Sequence, residues 1–151
     1  MLPVPPLPPI GLAGDWCIEA SSRSRHAQDL RLQGKGGSAE ILFERCAVGR
    51  LRDAYPVGLH DVEVQVRACT EDMLPSLLVA LTAALGHADP RCPRLVLSRP
   101  AADRAFIAEA ESAGFRHVVD VDLGSDECSL LAWEPSWASP ADADLDRVPG
   151  T

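Results

Sequence analysis

The 151-residue chain has no C-x-x-C pair, and its cysteines, Cys17, Cys46, Cys69, Cys92 and Cys128, are odd in number and widely separated. That spacing supports neither a disulfide framework nor a zinc site, and a reducing cytoplasm suits the free thiols best. His26, His60, His87 and His117 include no H-x-H or i, i+4 pair, so no metal is expected. No window approaches the roughly 20 continuous apolar residues of a membrane span. The opening MLPVPPLPPI carries no basic residue and five prolines, which argues against a signal-peptide core and predicts an extended arm over residues 1–14. Clustered Lys and Arg are also missing. The net charge is −8, and only residues 22–25 and 91–99 are mildly basic, so no nucleic-acid partner is expected. There is no G-x-S-x-G elbow for a serine nucleophile. Gly34-Lys35-Gly36-Gly37 lacks the G-x-x-x-x-G-K-[ST] spacing of a phosphate loop and reads as a turn.

What is present is a core. With 46% apolar residues, a chain of this length can bury one domain without disulfides or metals, placed at residues 15–134. Beyond it, residues 135–151 are dominated by Pro, Ala and Asp and are expected to be disordered, apart from Trp137 near the root. A short strand is predicted around Trp16, Cys17 and Ile18, within residues 15–20. Strands over 27–33 and 39–48 flank the glycine-rich turn as a hairpin. Val62, Val64 and Val66 alternate with Glu63, Gln65 and Arg67, the period-two pattern of a half-buried strand.

The next element is a helix. Met73, Leu74, Leu77, Leu78, Leu81 and Leu85 fall on one stripe, with Thr70 or Asp72 as its cap, Pro75 in the first turn and Gly86 as its stop. Leu95-Val96-Leu97 is a short buried strand. Residues 101–113 form a second helix, with Phe106, Ile107, Ala110 and Ala113 inward and Gly114 ending it. Strands at 118–121 and 129–133 follow, joined by a turn over 124–127. A strand-helix-strand unit implies a right-handed parallel crossover, and the last pair an antiparallel hairpin, so the sheet is mixed.

That order, with a helix closing on Ala113-Gly114-Phe115 before a strand, resembles the GNAT superfamily of acyl-CoA-dependent N-acyltransferases. More narrowly, Arg50-Leu51-Arg52-Asp53-Ala54-Tyr55-Pro56, then His60-Asp61 before a strand, then Ala88-Asp89-Pro90-Arg91-Cys92, is similar to the branch that acylates hydroxylysine or related amines in siderophore assembly. The resemblance implies an α/β fold with a central mixed sheet, helices on both faces and a C-terminal β-hairpin. It also implies acetyl-CoA or another acyl-CoA as substrate, a small-molecule amine as acceptor, and a homodimer as one form of assembly. In such enzymes the pyrophosphate of the acyl-CoA lies on backbone N–H groups at the start of the helix after the central strand. Here that implies Val66, Arg67, Ala68, Cys69 and Thr70.

The chain departs from the family at several points. Residues 67–74 contain no glycine but do contain Glu71 and Asp72, whose charges oppose a pyrophosphate. Amine acylation needs a base and an acid, and Glu63, on the polar face of the central strand, is the base candidate. Gln65 stands where the siderophore branch has a histidine. Ala101 stands where that branch has an aspartate, with Asp103 nearby, and Ala110 stands where ordinary members carry a tyrosine. The candidate set is therefore Glu63 and Asp103 for catalysis, and His60, Asp61 and Gln65 for the acceptor. Three readings remain open: an N-acyltransferase, a catalytically inactive GNAT-fold binder of a ligand or partner, and half of an assembly completed by dimerisation.

Overall fold

The computed structural model describes residues 3–12, 14, 16–124 and 126–135. The expected tail beyond residue 135, with Trp137, lies outside the described residues. The strands are β1 (Cys17–Arg23), β2 (Ala27–Gly34), β3 (Gly37–Arg45), β4 (Val62–Cys69), β5 (Leu95–Pro100), β6 (Arg116–Leu123) and β7 (Asp126–Trp133). The helices are α1 (Leu74–Ala88) and α2 (Arg104–Ser112). All seven strands form one sheet in the order β1-β2-β3-β4-β5-β7-β6. Only β4 and β5 run parallel, joined through α1, and the other pairings are antiparallel, with β6–β7 as the expected hairpin. Among the described residues, no helix is long and apolar enough to cross a membrane.

Period-two alternation sorts the strands into two faces. On the first, Leu30, Leu32, Ile41, Phe43, Val62, Val64, Leu95, Leu97 and Leu131 are buried against Leu77, Leu78, Leu81 and Leu85 of α1 and Phe106 and Ala110 of α2. On the second, Val96 and Leu130 pack with Cys46, Leu51, Tyr55 and Val57. Both α-helices thus lie on one face. Among the described residues, the helical cover of the other is a single 3-10 turn, Cys46–Val48, because Gly49, Pro56 and Gly58 break any longer run in the connection.

α1 differs at both ends from the sequence expectation, and α2 starts at Arg104 rather than at residue 101. Neither Thr70 nor Asp72 caps α1: a 3-10 turn, Glu71–Met73, precedes it, and the Thr70 hydroxyl accepts from the Ser38 amide at 3.0 Å. Nor does Gly86 end α1. The helix continues to Ala88, where Asp89 N–H closes on the Leu85 carbonyl at 2.8 Å. In α2 the carboxylate of Asp103 accepts from the Phe106 amide at 3.3 Å, and Gly114, with φ of 104°, provides the left-handed stop.

The N-terminal arm is extended and seated. Leu7 and Ile10 are buried in the helix-side core, with Leu12 and Trp16 packed against it. Gln28 of β2 accepts from the Ile10 amide and donates to its carbonyl, so the arm buries backbone without leaving it unpaired. The anchor is Arg45, 1% exposed. It donates to the carbonyls of Pro5, Pro6 and His60 and lies 2.8 Å from the Asp89 carboxylate, a charge contact rather than an aligned hydrogen bond. One guanidinium thereby ties the arm, the entry to β4 and the end of α1.

Replacing a buried charge in such a network leaves its partner desolvated and alone, a loss of about 3–5 kcal/mol. Arg45→Met should therefore lower the unfolding free energy by about that amount in urea denaturation. A loss of under about 1 kcal/mol would show that Arg45 anchors nothing.

Candidate functional site

β4 and β5 are paired at only three positions, Val62 with Leu95, Glu63 with Val96 and Val64 with Leu97. Beyond them the strands part. β5 is held along its length by β7, from Leu95–Trp133 to Pro100–Cys128, while β4 follows β3 and bulges where Glu40 pairs with Ala68 and Ile41 with Val66. The bulge leaves Arg67 out of the ladder. The gap opens at the carboxyl ends of two parallel strands, where α/β sheets commonly hold ligands. It is a cleft of about 610 Å³ lined by Val66, Ala68, Cys69 and Arg99 of the strands, Glu71, Asp72, Leu74 and Pro75 at the start of α1, and Asp103, Ala105, Phe106 and Glu109 of α2.

Arg99 crosses this cleft. Its Nε donates to Asp103 at 2.8 Å, its Nη1 to the Val66 carbonyl at 2.9 Å, and the guanidinium stacks 4.1 Å from the centre of the Phe106 ring. Asp103 thus caps α2 and neutralises Arg99 at once. Of the residues expected to bind the cofactor, Val66, Ala68 and Cys69 line the cleft. The other two face elsewhere: Arg67 pairs with Asp29 at 3.2 Å, and Thr70 bonds β3. Burial, the largest cause, raises the Cys69 thiol above its ordinary pKa, so Cys69 is no thiolate nucleophile.

Glu63 is on the opposite face of β4 and, contrary to a solvated polar face, is only 1% exposed. Its Oε2 accepts from the Ser98 hydroxyl at 2.5 Å and from Nε and Nη2 of Arg50 at 3.2 and 3.0 Å. Arg50 also donates to Ser98 at 2.8 Å. The other oxygen, Oε1, is buried with no partner among the described residues. Glu44 is the cross-strand neighbour of Glu63. Burial first, and the charge of Glu63 second, raise the Glu44 carboxyl above its usual range. Two carboxylates, a guanidinium and a hydroxyl therefore meet on the second face, under the segment that begins at Gly49.

The acceptor candidates lie apart from one another. Asp61 is buried, and its Oδ2 accepts from the Tyr55 hydroxyl at 2.8 Å and the Gly58 amide at 3.0 Å, with Arg94 at 3.6 Å. These contacts fold the 55–58 segment back onto the sheet. His60 presents its carbonyl to Arg45, and Gln65 is half-buried beside Glu63's strand face, opposite Leu42. Burial, with Asp61 adding to it, pushes the Tyr55 hydroxyl far above its normal pKa, and burial pushes the Cys92 thiol up to about 12, so neither is an acid or nucleophile near neutral pH. Ala110 is fully buried core.

Sequence reading passed over Arg50, Ser98 and Glu44 as a group. Strand parity places Ser98 and Glu44 on the face of Glu63, but the arginine comes from a connection whose path no periodicity reports.

The pH dependence follows from Glu44. Its folded pKa is raised, so the folded state holds the proton more tightly, and the resulting stabilisation is present at acid pH and lost as pH rises through the folded value. Glu44→Gln removes this penalty. The variant's stability relative to wild type, read by urea unfolding, should be greater at pH 7 than at about pH 4. An unchanged difference would refute the raised pKa.

No protein-family model matches the chain, and no curated protein matches it. Solved structures do. An uncharacterized protein from Bacillus halodurans superposes with a TM-score of 0.68 at 15% identity, over 83% of this chain and 68% of that one. The aminoglycoside acetyltransferase AAC(6')-Ib, in complex with coenzyme A and kanamycin, gives 0.61 at 12% identity over 74% and 68%. A mutant of the spermidine N-acetyltransferase SpeG from Vibrio cholerae gives 0.54 at 8% identity over 79% and 72%. The chain spans about two thirds of the length of the first two. At these identities the likeness is one of fold, and the chain has the fold of these acetyltransferase structures.

Proposed function

We propose that the protein is an N-acyltransferase that moves an acyl group from a thioester donor of the acyl-CoA kind to an amine or hydroxylamine of a small metabolite, such as those acylated in siderophore assembly. The observation that carries this is the parting of β4 from β5, which opens an apolar-floored cleft of about 610 Å³ beside unpaired strand backbone. A thioester arm lying there would keep its carbonyl beside β4. The amine nitrogen would attack that carbonyl, forming the C–N bond as the C–S bond breaks. The ammonium proton goes to a base and the leaving thiolate takes up a proton.

Glu63 is the base this reading assigns. It lies three residues before Val66, about 10 Å along the strand, so it would act through water rather than directly. Its Oε1 is an acceptor with no partner among the described residues. Arg50, whose side chain is 42% exposed, is the group that would have to turn aside, giving up its bonds to Glu63 and Ser98. The cleft residues Val66, Ala68 and Cys69 would border the donor, and Gln65 would face the acceptor side of β4 near Glu63. Asp103 would act indirectly, by holding Arg99.

A second reading is a catalytically inactive GNAT-fold protein that binds a ligand or partner. The sealing of Glu63 under Arg50 and Ser98 favours it. Acceptor-dependent release of thiol from acetyl-CoA or a shorter acetyl thioester, screened over amines and hydroxylamines at millimolar donor, separates the two. Saturable release is expected, and its absence with every donor would leave the inactive reading. Given activity, Glu63→Gln should lower kcat by about a hundredfold or more with the acceptor KM little changed. A variant within a few-fold of wild type would remove Glu63 from the mechanism.

A further inference from the structure

The cleft is charged for one kind of donor. Its lining holds four carboxylates, Glu71, Asp72, Asp103 and Glu109, against one cation, Arg99. That cation is committed, since Asp103 neutralises it, the Val66 carbonyl takes its Nη1 and Phe106 stacks on it. Among the described residues, no basic side chain forms an ion pair with Glu71, Asp72 or Glu109. The chain's single lysine, Lys35, sits on the β2–β3 turn and does not line the cleft. The amides at the start of α1 are no compensation, because Glu71 and Asp72, in the 3-10 turn that leads into the helix, set negative charge beside its positive end. A ligand carrying several phosphates would bring like charge against like, at distances where each close pair is repulsive even in a well-solvated cleft. An uncharged arm meets no such barrier. It finds an apolar floor in Val66, Leu74 and Phe106, and beside it the β4 backbone beyond Val64, which has no strand partner on the β5 side and of which Arg99 takes the Val66 carbonyl, as hydrogen-bonding partner for its amides.

We propose that the donor cleft selects an acyl thioester on an uncharged, amide-containing arm of pantetheine type, and that Glu71, Asp72 and Glu109 discriminate against the nucleotide-bearing, polyphosphate form. This rests on the thioester-donor reading above and adds the class of donor to it. The three carboxylates belong to exposed residues, so they set specificity without holding the fold together.

The test is calorimetric titration of the full chain with S-acetyl-pantetheine and with acetyl-CoA, at low and high salt. S-acetyl-pantetheine should bind at least about tenfold more tightly at low salt, and the gap should narrow as salt screens the carboxylates. In the double variant Glu71→Gln/Asp72→Asn, affinity for acetyl-CoA should rise about tenfold while that for S-acetyl-pantetheine stays within about twofold. Glu109→Gln should move acetyl-CoA in the same direction. Acetyl-CoA binding as tightly as the shorter thioester, or no gain in the double variant, would overturn the specificity while leaving the acyltransferase reading intact. If neither thioester binds up to millimolar concentration, both fall together.

Discussion

The brevity of the β4–β5 pairing is the constraint from which the site follows. Parallel strands linked through a helix would ordinarily continue side by side, but β5 is committed on its other edge to β7, along six residue pairs, and β4 to β3. Each strand follows its antiparallel partner, and the sheet's twist then separates them after Val64 and Leu97. Such an opening leaves backbone polar groups without strand partners, and within a sheet these need other ones. Arg99 meets part of that need by donating to the Val66 carbonyl, so the same side chain that crosses the cleft also satisfies one of the acceptors the parting exposes.

β4 consequently has two chemical environments a few residues apart. Toward the helices, its valines end in an apolar-floored, acid-rimmed gap. Toward the other face, Glu63 is buried in a network with Arg50 and Ser98. The charge balance differs between the two: Glu63 has a guanidinium at 3.0 Å, whereas the rim carboxylates other than Asp103 have no cation paired to them among the described residues. In a low-dielectric setting an unpaired carboxylate would be strongly disfavoured, so it is consistent that the unpaired ones are at the exposed rim and the paired one is inside.

Much of this fold was legible in the chain. The Val62, Val64, Val66 alternation, the leucine stripe of α1 and the Gly114 stop all reflect local periodicity or backbone geometry, and each reappears where the residues place it. Helix ends were less legible. Thr70 is a good capping residue by type, yet a neighbouring strand takes its hydroxyl, and Gly86 stays helical because Leu85 is buried and Asp89 is fixed by Arg45. Alternation correctly assigned Glu63 to the face opposite the valines, but periodicity says only which way a side chain points. What covers that face comes from a distant, irregular connection. The same limit applies to Arg45, whose partners are separated from it by up to 44 positions in the chain, from Pro5 to Asp89.

The arm's prolines matter in a further way. Pro5 and Pro6 give Arg45 their carbonyls but have no N–H of their own, so this stretch can cover the core without offering the donors by which a strand recruits another strand. Their rings also restrict the chain before it docks. The unfolded arm has fewer conformations to surrender, and a segment with no regular hydrogen bonding can lie fixed against the core at a smaller entropic loss than a glycine-rich one of equal length.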